Sequence, residues 1–375
     1  MVRKAFRVFL GLVAIYAAWL AFSALSFRIH RIGKEAAGRD PLEIEGVYHI
    51  HTKHSDGRST VAELARDAAR ENLDFLVLTD HGNPNFAGLL DQGFKEGVLI
   101  LAGSELSLNR GHMVGLGFRT PETSFSQKAE IAVPEIQALG GFAVVAHPYS
   151  KVRWLWGDAS VYSGLEIINA DTMFKNNLGR VLPYLPLLLV GSRVPLVKML
   201  ENPEVNLRKW DQRAATASLY GYFSADAHLY YRPIFSLLRL HVLLDEPLAR
   251  DFDAAARQVF GALRTGRFFN AIEAVAEARG FRFGAAEGGT TWRMGDTIRG
   301  DGFGPRFEVK APFPFAKEIR IVRDGRVVAS TRENTLAADA QGPGVYRVEV
   351  FLRARSALGK NIPWIVSNPI FLRKD

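Results

Sequence analysis

The sequence predicts an α/β fold followed by a smaller β-rich region, with an apolar helix at its start. Three observations carry this. Between about residues 44 and 230, short apolar runs alternate with helix-period segments, as parallel strands do in an α/β sheet or barrel. Beyond about residue 281 the helix pattern gives way to strand alternation and turn signals. Residues 8–27 contain no charged side chain. At 375 residues the chain exceeds one typical domain, so a large domain with an appendage is expected. The expected division is 1–40 (apolar segment and linker), 41–280 (α/β body) and 281–375 (β-rich region).

Twenty helical residues span about 30 Å, the thickness of a bilayer's hydrocarbon core. Segment 8–27, between Arg7 and Arg28, is longer than the ~7–15-residue core of a signal peptide. A single-pass N-terminal membrane anchor is expected, with a signal cleaved at Ala24-Leu25-Ser26 as the alternative. Arg3, Lys4 and Arg7 on one side balance Arg28, Arg31 and Lys34 on the other, so charge does not orient the helix. Long domains translocate regardless of such charges, which places the body outside the cytoplasm. Of the net charge of +8, +5 lies in residues 1–40. A nucleic-acid binder carries its basic face on the folded domain, so no nucleic-acid partner is expected. There is no cysteine, which excludes disulfides, thiolate metal sites and cysteine nucleophiles.

The elements follow in order. Residues 44–51 read as a strand. Residues 59–72 read as a helix, with Thr60 and Glu63 in capping-box spacing and Val61, Leu64, Ala65 and Ala68 on one face. Short buried strands are expected at 75–79, 98–102, 113–118, 142–146, 165–168 and 222–224. Six of the nine histidines accompany these runs, together with acids. His49 and His51 end the first strand, and Asp56 lies in the Ser-Asp-Gly loop after it. Asp80-His81 end the second, Glu105 follows the third, and His112 precedes 113–118. His147 follows 142–146, and Asp226 and His228 follow the last. Imidazole nitrogens and carboxylate oxygens are the usual ligands of Zn²⁺, Mn²⁺ and Fe. Because strand C-terminal ends converge in such folds, a multinuclear metal site is expected. Asp56 reads alternatively as a turn residue, His54 as a rim residue, His241 as a core histidine, and His30 as part of the anchor's flank.

Two regions break the pattern. Residues 181–192 are uncharged but interrupted by Pro183 and Pro186, and too short to span a bilayer. They read as a buried helix or loop packed on the body, or as a flap dipping into a membrane. With Trp154, Trp156 and Tyr184 they also suit an apolar pocket wall. In the tail, 319–322 and 327–330 flank the hairpin pair Asp324-Gly325. Residues 345–352 alternate, with Tyr346, Val348, Val350 and Leu352 on one face. A small antiparallel β-sandwich is expected there, without visible chemistry.

The segments "YHIHTKHSDGRST", "LVLTDHG", "GSEL", "GHMVGLG", "VAHP" and "SADAH" occur in this order over residues 44–230, which resembles the PHP (polymerase and histidinol phosphatase) family. The tail ending "GVYRVEVFL" and "IPWIVSNPIFL" is similar to the carbaryl-hydrolase-like (CehA/McbA type) branch. The resemblance implies a distorted (βα)₇ TIM-like barrel and two or three divalent ions (Mn, Zn or Fe). It implies that His49, His51, Glu105 and Asp226 hold one metal. Glu105 would bridge to a second held by His112 and His147, and Asp56, His81 and His228 would hold the third.

Such a centre polarises the scissile bond and lowers the pKa of a bridging water, whose hydroxide is the nucleophile. Asp226 or His228 would pass a proton to the leaving group, and Asp80 would orient an imidazole. Lys53, Arg110, Arg153 and Arg232 are candidates for neutralising a phosphate, and Tyr149 for covering the metals. The expected activity is hydrolysis of a phosphoester, on a small-molecule or lipid-associated substrate. The alternatives are an amide, carbamate or carboxylic ester, or a non-catalytic anchored metal-binding module. A pocket lined by arginine favours phosphate, whereas an aromatic pocket without cations favours a carbonyl substrate. A polymerase-linked role is not expected.

Overall fold

The computed structural model describes residues 1–27, 29, 31, 40–148, 154–155, 162–300, 304–312, 317–352, 358–359 and 361–374. The expectations placed on Arg28, His30, Lys34, Tyr149, Arg153 and Trp156 lie outside these residues.

Among the described residues eleven strands build the body: β1 (Glu43–Ile50), β2 (Phe75–Leu78), β3 (Gly93–Lys95), β4 (Val98–Ala102), β5 (Ser104–Leu108), β6 (Gly111–Leu116), β7 (Phe142–Val145), β8 (Gly164–Asn169), β9 (Tyr220–Ser224), β10 (Arg239–Leu243) and β11 (Phe268–Ala271). They form two sheets. In the first, β1, β2 and β4 run parallel, with β3 and β10 antiparallel at their flanks. In the second, β7, β8 and β9 run parallel while β5, β6 and β7 are antiparallel. The expectation of parallel strands throughout is therefore corrected. Only Asn109 and Arg110 separate β5 from β6, and a two-residue connection can join only an antiparallel pair.

The two sheets meet at two seams. Ile50 bridges Ala227 and His81 bridges Glu105. At the first seam Ala225 N donates to Tyr48 O (3.0 Å) and His51 N to Ala227 O (2.9 Å). At the second, Gly103 N donates to Leu78 O (2.8 Å). Both seams fall at C-terminal strand ends, where the donor residues lie. The helix Val61–Arg70 packs beside them. Its capping box is formed by Thr60 and Glu63, and it buries Val61, Leu64, Ala65 and Ala68, as its spacing predicts.

The first sheet does not stop at residue 280. Strand β11 pairs with Ile365–Ser367, which pairs with Gly344–Leu352, which in turn pairs with Lys317–Arg323. Asp324 and Gly325 both have positive φ (48° and 80°), as a two-residue hairpin turn requires. Four further strands of the tail form a separate antiparallel sheet. Strand Gly344–Leu352 is buried on both faces, not on one. Its second face carries Arg347, which donates to Asp211 of the helix Glu204–Ala214 and to Glu349 beside it on the same face. One hydrophobic core runs through body and tail.

The N-terminal helix Val2–Ser26 is long and apolar enough to cross a membrane, and none of its residues is buried in the protein. Residues 181–192 are not a buried helix. They continue a helical turn (Leu178–Val181) into the 3₁₀ helix Leu182–Val190, which buries Leu187 but leaves Leu189 90% and Val190 75% exposed.

His241 is a core histidine, fully buried on β10 between Glu43 (Nδ1–Oε1 2.9 Å) and Glu273 (Nε2–Oε1 3.0 Å). Burial alone would lower its pKa, but the carboxylates of Glu45, Glu273 and Glu43 outweigh it and push the imidazole from 6.5 up to about 10. A pKa raised in the folded state gives stability that is complete below the unfolded value and lost as pH rises through the folded one. The gap in unfolding free energy between the wild type and His241→Gln is therefore expected to narrow steadily from pH 6.5 to pH 10. Urea titrations at several pH values read it, and a constant gap would contradict the charged state.

Candidate metal centre

The site grows from irregular backbone at strand ends. The pairing of β1 with β2 slips by one residue between Tyr48 and Ile50, a bulge that re-aims the side chain between them. That residue, His49, has φ 69°. His147 (φ 23°) and Asp226 (φ 45°) are also left-handed, a conformation that costs a non-glycine residue about 1–3 kcal/mol and collects at functional sites. Gly57 lets the Asp56 loop close over His51, since a Cβ there would sit 2.3 Å from His51 O.

Glu105 is the hub. One carboxylate oxygen lies 2.8 Å from His112 Nδ1 and 2.7 Å from His147 Nε2. The other lies 3.1 Å from His49 Nε2, 3.2 Å from His51 Nε2 and 3.4 Å from His81 Nδ1. The hairpin register explains part of this. Ser107 faces His112 across β5–β6, and Glu105 shares the face of Ser107, so acid and imidazole are diagonal neighbours. Asp226 Oδ1 stands 3.2 Å from His51 Nε2 and 3.4 Å from His49 Nε2. Asp56, 55% exposed, closes the solvent side with its carboxylate 3.5 Å from His51 Nδ1, 3.7 Å from His81 Nε2 and 3.4 Å from His228 Nε2.

The nine expected donors thus come together in three overlapping groups: His49, His51, Glu105 and Asp226; Glu105, His112 and His147; and His51, Asp56, His81 and His228. Within each group the ligand atoms lie within 4.8 Å of one another. The third group includes His51, which the family resemblance assigns to the first alone.

The donor chemistry fits divalent cations. Both ring nitrogens of the buried His51, and Nδ1 of His81, are without a hydrogen-bond partner, although Nε2 of His51 has two carboxylate oxygens at 3.2 Å. Buried polar atoms are rarely left so. One lone pair on each of these rings faces a shared point instead of another group's proton, which a cation would satisfy. All donors are nitrogen or oxygen, the set taken by Zn, Mn and Fe.

Electrostatics agree. Burial opposes ionisation of Glu105 and Asp226, yet the surrounding histidines hold both carboxyls below the usual range. Burial would lower His51, but Asp226 and Glu105 raise it to about 9. The acids draw positive charge into the cavity, and protons compete there with metal.

Several supporting residues escape the sequence reading. Glu166 is fully buried, 2.6 Å from His49 Nδ1, and accepts from His147 N (2.8 Å). Asn169 Nδ2 donates to Glu166 (2.9 Å) and Asp226 (3.0 Å). Both lie on β8, where every position is buried. Polar residues inside so apolar a run were the available signal. Asp80 is corrected: among the described residues it orients no imidazole. Its carboxylate accepts from Thr52 N (2.7 Å), Thr52 Oγ1 (2.8 Å) and Ser55 Oγ (2.7 Å), fixing the loop that carries Asp56. His54 lies at the rim, 3.1 Å from Asp91.

Of the expected phosphate cations, the three among the described residues (Lys53, Arg110 and Arg232) do not converge on the donors. Arg232 is corrected, since its Nε donates to Glu71 Oε1 at 2.8 Å and is tied to the end of the helix Val61–Arg70. Lys53 is turned to Glu63 (4.0 Å), and Arg110 is exposed in the β5–β6 turn. Beside Asp226 and His228 opens an apolar cleft of about 400 Å³ lined by Phe174, Leu185, Leu188, Leu196, Met199 and Leu229 among others. No lysine or arginine lines it among the described residues. Trp154 and Tyr184 do not line it either: Trp154 packs edge-on to Tyr162, and Tyr184 faces the N-terminal helix. Asp171 does, with its carboxyl pushed up by burial and by Asp226 against the opposing Lys175.

No protein-family model matches this chain. Over 157 residues, 37% of this chain and 91% of the relative, it is 27% identical to the uncharacterized protein MJ1587 of Methanocaldococcus jannaschii. Among solved structures it is similar to a two-domain protein from Bacteroides vulgatus described as containing a PHP-like metal-dependent phosphoesterase (TM-score 0.39, 12% identity, 92% of this chain and 98% of that one). A second is a protein from Bifidobacterium adolescentis described as a metal-dependent phosphoesterase (TM-score 0.35, 14% identity, 57% and 95%). A third is an amidohydrolase from Chromobacterium violaceum with bound sulfate and no metal (TM-score 0.31, 17% identity, 49% and 87%).

Proposed function

We propose that this chain is a membrane-anchored, metal-dependent hydrolase of the PHP type, with a distorted (βα)₇ barrel, acting on a phosphoester. The observation that carries the reading is Glu105, whose two carboxylate oxygens each face a different set of imidazoles. Such a carboxylate is placed to bridge two cations. His49, His51 and Asp226 would complete one position, His112 and His147 a second, and Asp56, His81 and His228 a third. Divalent cations there would polarise the scissile bond and acidify an attacking water.

The chain's own residues prepare this chemistry. Glu166 holds the proton on His49 Nδ1, which leaves the Nε2 lone pair facing the cavity. His228 Nδ1 lies 3.0 Å from Asp226 O, so its Nε2 likewise faces inward. Asn169 fixes the Asp226 carboxylate. Asp171, at the cleft with its carboxyl pushed up by burial and by Asp226, would give the leaving-group oxygen its proton. Six imidazoles and three carboxylates would leave a three-cation cluster with excess positive charge. A phosphoryl group therefore needs no arginine here, and the cleft is free for the apolar part of an ester.

The cation-free cleft also favours the second reading, the same chemistry on a carboxylic ester, amide or carbamate. The full chain in detergent is expected to hydrolyse p-nitrophenyl and bis-p-nitrophenyl phosphate faster than p-nitrophenyl acetate. Activity should vanish with a chelator and return with Mn²⁺, Zn²⁺ or Fe²⁺. Preference for acetate would select the second reading, and no turnover with any metal would sink both.

A further inference from the structure

We propose that the cleft beside Asp226 and His228 receives a long aliphatic chain, and that the substrate is a lipid ester drawn from the bilayer crossed by the helix Val2–Ser26. This rests on the proposed hydrolase reading and names its substrate class.

Chemistry and apolar surface are joined in one cavity. At one end of the cleft stand Asp226 and His228, two of the metal donors. Its walls come from the helix Ala170–Asn176, the segment 181–189, the helix Val194–Met199 and residues 229–234, which lead into the helix Tyr231–Phe235. At about 400 Å³ it has the size of a small-molecule site. A polar or charged group would lose its hydration there without a partner, whereas a hydrocarbon gains from every methylene buried.

The mouth of the cleft is apolar too. Leu189 lines it and is 90% exposed, and Leu182 (52%) and Val190 (75%) extend the same surface. A contiguous apolar patch of this kind marks an interaction site. From Val181 to Ser192 the chain carries no charge.

The N-terminal helix identifies what covers the patch. Tyr16 Oη donates to Pro183 O at 2.7 Å, and the Trp19 and Tyr184 rings lie 4.6 Å apart. The helix therefore touches the same 3₁₀ segment that borders the cleft. Tyr16 lies ten residues before Ser26, the helix end, or about 15 Å along the axis at 1.5 Å per residue. That is about half of a ~30 Å hydrocarbon core. With the helix in a bilayer, the 3₁₀ segment lies level with acyl chains in one leaflet. An unbroken apolar route then runs from the leaflet to His228 and Asp226. The chain enters the cleft, and the ester group reaches the donors.

The test uses the full chain in lipid nanodiscs with Mn²⁺ and a series of alkyl p-nitrophenyl phosphates from C2 to C12. The value of kcat/KM is expected to climb at least tenfold across the series. Leu188→Trp, which fills the cleft, should lower the C12-to-C2 ratio of kcat/KM tenfold or more. A flat series, or a variant that keeps the wild-type ratio, would overturn the proposal. For the source, dioleoyl phosphatidate is placed in the protein's own discs or in separate ones. Hydrolysis at least tenfold faster in the shared discs is expected, and equal rates would overturn the membrane route. Should no ester be hydrolysed, binding of a fluorescent C12 fatty acid decides. Binding that Leu188→Trp weakens tenfold upholds the cleft while the hydrolase reading falls, and no binding overturns the cleft itself.

Discussion

Glu105→Gln is expected to reduce hydrolysis about 10³-fold or more, equivalent to about 4 kcal/mol of transition-state stabilisation. The substitution keeps the shape of the side chain and removes the charge that gathers five imidazoles. Its amide nitrogen also presents protons where lone pairs are required. Metal content, read by plasma mass spectrometry after dialysis, should fall by at least one ion per chain. Glu166→Gln should do less, costing roughly 10–100-fold in metal affinity, because it acts through the imidazole of His49. This order of effects separates a bridging ligand from its support. If Glu105→Gln kept full metal content and turnover, the centre would not be organised around this carboxylate.

The second large effect concerns the junction of tail and body. Arg347, 2% exposed, donates from Nε and one terminal nitrogen to both oxygens of Asp211 (2.8 and 2.9 Å) and from the other to Glu349 (2.5 Å). Its guanidinium also lies 5.3 Å from the ring centre of Trp210. Arg347→Leu leaves two buried carboxylates facing a hydrocarbon. Removing one partner of a buried pair typically costs about 3–5 kcal/mol, and urea unfolding should show a loss of this size. Replacing all three partners, as in Arg347→Met with Asp211→Leu and Glu349→Leu, should recover much of it, since an apolar contact of similar volume serves about as well. A loss below about 1 kcal/mol in the single variant would mean that tail and body are held together elsewhere.

Much of the candidate site was legible because residues able to hold a metal are rare types in telling places. His49, His81, Glu105, His147 and Asp226 each end or follow an apolar run, and the topology brings those ends together. The capping box at Thr60 and the apolar face of its helix were equally plain, since both are local. What escaped was non-local. Strand β5 (Ser-Glu-Leu-Ser-Leu) is no apolar run and reads as the loop after β4, so nothing announces a hairpin with β6. The pairing of Ile365–Ser367 with β11, across about a hundred residues, is set by packing and leaves no mark on either segment. Glu166 was hidden differently: among Leu165, Ile167 and Ile168 it looks like an interruption, although its burial beside His49 is its purpose. Arg232 erred in the opposite direction. Its place near a donor loop suggested the site, while Glu71 offered a closer anion.

The left-handed backbone at His49, His147 and Asp226 sets stability against use. Glycine at any of the three would relax the main chain, and it would also delete a donor. Laboratory evolution for heat resistance alone would therefore be drawn to the positions the chemistry can least spare. A library screened only for survival on heating should drift toward silent scaffolds, sturdier than their parent and unable to act. Keeping both properties requires gains made elsewhere, in the tail's exposed strands or at the helix ends, where the backbone carries no such tension.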